Sequence, residues 1–162
     1  MHESVAIIST GGTIDKIYFD ASSDYQVGEP QIAEILRMVG SQVEFTVDTL
    51  FRKDSLEITD QDRLEIRRRV EASSSGRVVI THGTDTMVET GKALASVKGK
   101  TIVLVGSLKP ARFKNSDAEF NIGFALAAVQ TLPEGVWITM NGRVFAYDAV
   151  QKNRTMNRFE PA

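Results

Sequence analysis

The sequence predicts an α/β fold of three layers: a mainly parallel twisted sheet with helices on both faces and a C-terminal antiparallel hairpin. Three observations carry this. Short unbroken apolar runs at Val5-Ala6-Ile7-Ile8, Val78-Val79-Ile80 and Thr101-Ile102-Val103-Leu104-Val105 suit strands covered on both faces. Segments of helical periodicity separate them, and β-α-β alternation of this kind yields parallel strands joined by crossover helices. Near the end, Asn141-Gly142 divides two apolar runs, and Asn-Gly is the preferred pair for a two-residue hairpin.

Taken in order, the first strand runs from Val5 into Thr10-Gly11-Gly12-Thr13. The polar segment from Ile14 to Glu29 is too long for an ordinary connection and reads as a mobile lid. Ile32, Ile35, Leu36 and Val39 mark one face of a short helix that Gly40 ends. Val43, Phe45, Val47 and Leu50 form the second strand, and Thr59 with Asp62 opens a helix carrying Leu64, Ile66 and Val70. Val78 to Ile80 is the third strand. Thr86 stands three residues before Glu89, a capping-box spacing that opens a helix through Thr90, Lys92 and Leu94. After the fourth strand comes a loop with Pro110, then a helix from Asp117 to Val129 whose Phe120, Phe124, Leu126 and Ala127 are expected on the sheet. Val136 to Met140 and Arg143 to Tyr147 make the hairpin, whose direction returns Asp148 to Lys152 toward the sheet. The pattern contains no internal repeat, low-complexity tract or linker.

Composition narrows the function. A chain of 162 residues with 42% hydrophobic and 25% charged residues is sized for one globular domain. A net charge of −2 and the lack of basic clusters interleaved with aromatics argue against nucleic acid as a partner. The run Arg67-Arg68-Arg69 lies beside Glu65 and Glu71 and reads as a solvated helix face. With no cysteine there is no disulfide, thiol nucleophile or thiolate metal site. Two histidines, His2 and His82, show no metal-ligand spacing, so neither metal nor cofactor is expected. The N-terminus is a poor signal peptide and no stretch is long enough to span a membrane, which makes the cytoplasm the default expectation.

Chemistry concentrates where strands end. The strand at Val79-Ile80 continues into Thr81-His82-Gly83-Thr84-Asp85-Thr86-Met87, and a strand-to-helix junction is where α/β enzymes place ligands. Thr84, Asp85 and Thr86 either cap the following helix or face a substrate. Thr10-Gly11-Gly12-Thr13 has the same construction, with glycines that permit close backbone approach. No Gly-Lys-Ser or Gly-Lys-Thr follows and no dinucleotide fingerprint is present, which disfavours nucleotide binding. No Gly-x-Ser-x-Gly elbow occurs either. A hydroxyl nucleophile, where one exists, is therefore a threonine.

Thr10-Gly11-Gly12-Thr13-Ile14 together with His82-Gly83-Thr84-Asp85-Thr86-Met87 resembles the two signature motifs of bacterial-type L-asparaginases. The resemblance continues through Asp24-Tyr25-Gln26-Val27-Gly28, Val105-Gly106-Ser107-Leu108-Lys109-Pro110 and Asp148-Ala149-Val150-Gln151-Lys152, in the family's order. It implies an amidohydrolase that converts L-asparagine and water to L-aspartate and ammonia. It further implies Thr13 as nucleophile forming an acyl-enzyme, Tyr25 on the lid as its assistant, and Thr84, Asp85 and Lys152 as a second polar group opposite. Lys152 would exchange a proton through Thr84, while Asp85 orients Lys152 or receives a substrate ammonium. Backbone N–H groups near Gly12, Gly83 and Thr84 would serve an oxyanion, and the Ser107 carbonyl a substrate amide.

The resemblance departs at Arg52-Lys53-Asp54, where family members usually carry Ser-Gln-Asp or a close variant to hold the substrate's α-carboxylate and α-amino groups. Asp54 matches. Arg52 can hold a carboxylate in a charge-assisted pair, whereas Lys53 repels an ammonium unless it points away. The chain resembles the family's N-terminal catalytic domain without its C-terminal domain, which implies a site completed by self-association into a homo-oligomer. Two other readings stay open: hydrolysis of another small amide such as glutamine, and a non-catalytic amino-acid-binding module.

Overall fold

The computed structural model describes residues 3–19 and 24–162. Chain order runs β1 (Val5–Gly11), a 3-10 turn (Thr13–Asp15), β2 (Lys16–Phe19), β3 (Asp24–Val27), α1 (Ile32–Met38), β4 (Phe45–Lys53), a second 3-10 turn (Ser55–Glu57), α2 (Asp60–Ala72) and β5 (Arg77–Thr81). It continues through α3 (Met87–Ala93), β6 (Thr101–Val105), α4 (Ala118–Thr131), β7 (Gly135–Met140), β8 (Arg143–Ala146), β9 (Val150–Asn153) and β10 (Arg158–Pro161).

Six strands form one sheet in the order β4-β1-β5-β6-β7-β8. All its pairings are parallel except β7 with β8. The α/β reading from sequence and its hairpin therefore hold. Asn141 takes φ +48° and Gly142 φ +86°, the double positive pair that lets a two-residue turn follow the strand twist.

Alternation along each strand divides the core into two layers. Ile8, Val78, Ile80, Ile102, Leu104 and Ile138 pack with Ile66 and Val70 of α2, Met87 of α3 and Leu94 just past its end. Val5, Ile7, Val79, Val103 and Val105 pack with Ile32, Ile35 and Leu36 of α1 and with Ile122 and Ala125 of α4. Each such buried Ile, Leu or Val contributes about 1.5–3 kcal/mol. An exposed ion pair adds up to about 1 kcal/mol, so layering rather than surface charge holds the sandwich.

Several side chains differ from their expected placement. Leu64 is 48% exposed and Phe120 60% exposed. On α4 the buried stripe is Ala118, Asn121, Ile122, Ala125, Leu126, Ala128 and Val129, because small residues let that helix approach the sheet, while Phe120 and Phe124 stack on one another at 6.2 Å. Ala127 is exposed like Phe120, and Phe124 is half-buried. Val39 lies outside the apolar face of α1 at 59% exposure; the helix closes there, with Ser41 N–H donating to the Leu36 carbonyl at 2.9 Å and Gly40 at φ +67°. The expected lid carries its own antiparallel pair, β2 with β3; residues 20–23 of it lie outside the described residues. A further antiparallel pair, β9 with β10, follows the hairpin. Among the described residues no helix is long and apolar enough to cross a membrane.

Candidate active site

The loops leaving the C-terminal ends of β1 and β5 meet backbone to backbone. These strands are neighbours, with Ser9 opposite Thr81. Gly11 and Gly12 follow at φ +105° and +91°, a region that side chains other than glycine rarely enter. A Cβ on Gly12 would overlap the backbone of Gly83, and a Cβ on Gly83 would overlap Ser55. Gly12 N–H also donates to the Lys53 carbonyl at 2.9 Å. Each of these glycines immediately precedes a threonine, so the contact sets Thr13 and Thr84 at its two sides. Thr13 is half-buried and Thr84 buried.

Lys152 completes the second of these positions. Its ammonium donates to Thr84 Oγ1 at 2.7 Å and to Asp85 Oδ1 at 2.8 Å. The reach across 68 residues depends on the β9–β10 pair, in which Lys152 stands opposite Phe159. Val150 and Phe159 are buried against the α2–α3 layer, and Val150 shares a strand face with Lys152. Apolar burial thus aims the lysine, whose side chain is 12% exposed. Since the Thr84 oxygen accepts from Lys152, its own hydroxyl proton is left to donate elsewhere. Arg154 approaches Asp85 from the outer side, with its Nε 3.9 Å from Oδ1.

Ser55 belongs to this cluster and was not anticipated. It is 2% exposed; its Oγ accepts from Asp85 N–H at 3.2 Å, and its carbonyl accepts the Thr86 hydroxyl at 2.7 Å. Thr86 therefore makes no side-chain cap to α3, and the capping box expected with Glu89 does not form, because Ser55 offers a buried acceptor first. The legible signal was one loop earlier: Asp54 and Glu57 form a capping box around Ser55, at the spacing that had been assigned to Thr86 and Glu89.

The Arg52-Lys53-Asp54 segment is spoken for by protein partners. Arg52 pairs with Glu29 at 2.5 Å and Lys53 with Asp62 at 2.8 Å. Lys53 thus points to the start of α2. Asp54 pairs with Lys16 at 3.1 Å. Burial acts to raise its carboxyl, but the Leu56 N–H and Lys16, helped by the more distant charge of Lys152, hold it below the usual value.

Ser107 is buried just past the end of β6. Its hydroxyl donates to the Lys109 carbonyl at 2.5 Å, while the Asp117 carboxylate accepts the N–H groups of Leu108 and Lys109. The loop is thereby fixed beside Gly106, where a Cβ would overlap the His82 carbonyl. Tyr25 stands on β3 at 51% exposure, its ring against Tyr18 at 5.7 Å and Phe113 at 5.8 Å. These contacts lay the lid on the loop after β6. The lid's root is held by Asp15, whose carboxylate accepts from Gln31 N–H at 2.9 Å and whose carbonyl accepts from Gly28 N–H at 2.8 Å.

His82 is a fully buried residue with both ring nitrogens hydrogen-bonded. Its Nδ1 lies 2.7 Å from the Gly83 carbonyl and its Nε2 2.7 Å from Thr90 Oγ1. A carbonyl only accepts, so Nδ1 carries the proton and the Thr90 hydroxyl donates to Nε2. Burial, with Arg63 nearby, lowers its pKa to about 4. Among the described residues no group of three or more His, Asp or Glu is arranged to hold a metal ion.

This arrangement coincides with a known sequence family: the asparaginase N-terminal model matches residues 4–160. The chain belongs to the asparaginase family. Its sequence is 32% identical over 163 residues to the glutaminase-asparaginase of Acinetobacter glutaminasificans, covering 92% of this chain and 49% of the relative. L-asparaginase 2 of Escherichia coli is 30% identical over 170 residues, covering 94% and 47%. The fold superposes on the structure of L-asparaginase I from Vibrio cholerae with a TM-score of 0.87 at 25% identity, covering 99% of this chain and 52% of that one. The chain spans about half the length of these asparaginase-family relatives.

Proposed function

We propose that this asparaginase-family chain is an amidohydrolase acting on L-asparagine through a threonine nucleophile. The observation that carries the reading is the Lys152 ammonium bound at once to Thr84 and Asp85, beside a Gly12–Gly83 contact that brings the Thr13 loop to the same place. In the proposed reaction Thr13 Oγ bonds to the amide carbon, the C–N bond breaks and ammonia leaves. The Thr84 hydroxyl donates its proton to the leaving nitrogen, and Lys152 replenishes Thr84. The proton lost by Thr13 returns to Lys152, so nitrogen gains one proton for the one Thr13 loses. Water then cleaves the ester, restoring Thr13 and releasing aspartate. Backbone N–H groups near Gly12 and Thr84 serve the oxyanion, Gly12's own N–H being held by the Lys53 carbonyl; the Ser107 carbonyl meets the substrate amide, and Tyr25 assists Thr13 when the lid closes over it. Arg52, Lys53 and Asp54 border the substrate's α-groups in this reading, with Asp54 alone free of a repulsive or outward-turned role. Self-association would complete the site.

Mass spectrometry of the protein trapped with asparagine tests the nucleophile. An acyl adduct on the Thr13 peptide is expected; an adduct confined to the Thr84 peptide would reverse the assignment. The similarity to a glutaminase-asparaginase favours glutamine as a second substrate, which ammonia release from each amide separates. A non-catalytic module would instead be stabilised thermally by asparagine without releasing ammonia.

A further inference from the structure

We propose that Arg63 is a positioning residue of the active site: through Thr90 and His82 it holds the Gly83–Thr84 peptide so that the Thr84 N–H meets the reacting carbonyl oxygen. The role rests on the asparagine-hydrolase reading and deepens it. Arg63, Thr90, His82 and Gly83 form one chain of hydrogen bonds. Arg63 of α2 donates through Nε to Thr90 Oγ1 at 3.2 Å. Thr90 of α3 stands 2.7 Å from His82 Nε2, and His82 Nδ1 stands 2.7 Å from the Gly83 carbonyl. Arg63 is 8% exposed, and Thr90 and His82 are fully buried.

The ends of this chain fix its direction. A guanidinium only donates and a carbonyl only accepts, so Thr90 and His82 must each accept on the Arg63 side and donate on the Gly83 side. Burial, with the charge of Arg63, lowers the His82 pKa to about 4, and the neutral ring keeps the lone pair on Nε2 that this order requires. The Gly83 C=O and the Thr84 N–H belong to one planar trans peptide unit and point in opposite directions. Holding the carbonyl on His82 therefore aims the N–H, and the bond to the carbonyl polarises that same amide. Thr84 is buried, yet among the described residues its N–H has no protein acceptor. Few buried amides are left so. Asp60 ties the outer end of Arg63 at 3.0 Å, which keeps the guanidinium on Thr90. An arginine that only joined α2 to α3 could give way to an apolar side chain without cost to turnover.

An oxyanion donor acts on the transition state, so its misalignment lowers kcat and spares KM. Removing such a donor outright costs about 10²–10³ in kcat. Arg63→Met and Thr90→Val turn it rather than remove it. Each is expected to lower kcat for asparagine about tenfold or more and to leave KM within about twofold, with near-ultraviolet circular dichroism unchanged. Thr90→Ser keeps the hydroxyl and is expected within about threefold of the wild-type kcat. Wild-type kcat in Arg63→Met and Thr90→Val, a loss confined to KM, or a Thr90→Ser protein as slow as Thr90→Val would overturn the positioning role while leaving the hydrolase reading intact. Imidazole nitrogen-15 NMR gives a readout that needs neither turnover nor a core variant. In the His2→Gln protein His82 is the remaining histidine, and its proton is expected on Nδ1. A proton on Nε2 would reverse the chain and overturn the assignment. A wild type that releases no ammonia from asparagine or glutamine overturns the hydrolase reading, and the positioning role falls with it.

Discussion

Lys152 Nζ stands 2.7 Å from Thr84 Oγ1, joining the end of the chain to a strand-end loop 68 residues earlier. The contact sets a direction for hydrogen bonding: the lysine donates, the threonine oxygen accepts, and the threonine proton remains available.

Lys152→Met keeps most of the side-chain volume and removes the donor. In the proposed relay, kcat should fall about 10²–10⁴-fold, with near-ultraviolet circular dichroism unchanged. Thr84→Val should lose activity on the same scale. Either variant turning over asparagine at the wild-type rate removes the relay from the mechanism.

Gly12→Ala tests the backbone contact between the two loops. The added methyl meets the Gly83 backbone at a residue held at φ +91°. Loss of about 1–3 kcal/mol of stability is expected, along with loss of activity. Gly99→Ala has a comparable φ of +72° and open space around it, so it supplies the backbone cost alone; equal destabilisation by the two would refute close loop packing at Gly12.

Ser55→Ala withdraws the hydroxyl that receives Asp85 N–H and leaves that amide without this partner. A stability loss of about 1–3 kcal/mol is expected. If Asp85 needs this support to hold Lys152, activity falls more than stability accounts for. Urea titration and initial rates on the same preparation make the comparison.

The Asp15 carboxyl gives a pH signature. Burial pushes it up to about 7, Glu29 adds to the rise, and the Gln31 N–H and Ser9 hydroxyl oppose it. The folded protein therefore holds a proton that the unfolded chain has released above the ordinary value of 3.8. Its stabilising contribution is full below that value and is lost as pH rises through about 7, a span on the order of 4 kcal/mol. Asp15→Asn should flatten the decline between about pH 4 and pH 7 as followed by chemical denaturation. A wild type whose stability rises across that interval as steeply as the variant's would contradict the assignment.

The layers were legible because strand alternation and helical spacing are local. Ile66 and Val70 were read onto the core side of α2, and Asn141-Gly142 onto a hairpin turn, from neighbours within one element. Phe120 and Leu64 were misread for one reason: large apolar residues attract attention, but α4 uses Ala118, Ala125 and Ala128 to come close to the sheet, and α2 buries the stem of Arg63 where it donates to Thr90. The lid's antiparallel pair escaped because its strands are four residues each, too short for the alternation of Asp24-Tyr25-Gln26-Val27 to stand out from a polar loop.

At the site, the sequence motifs alone brought out Thr13, Thr84, Asp85 and Lys152. The partners of those residues were not visible. Ser55 lies in an ordinary capping box, and its bond to Asp85 spans 30 residues. Lys53 looked like a misplaced charge beside a substrate, and pairing with Asp62 turned it outward.

The sequence by itself determined the α/β class, the positions of the main strands, the glycine-threonine loops at strand ends and the family they belong to. These follow from period, turn chemistry and motif, each contained within a few residues. Only the tertiary structure decided that Gly12 rests on Gly83, that Phe159 and Val150 bury β9 so that Lys152 points at Thr84, and that Lys53 pairs with Asp62. Such outcomes depend on side chains distant in the chain competing for the same partners, and no local pattern records which of them wins.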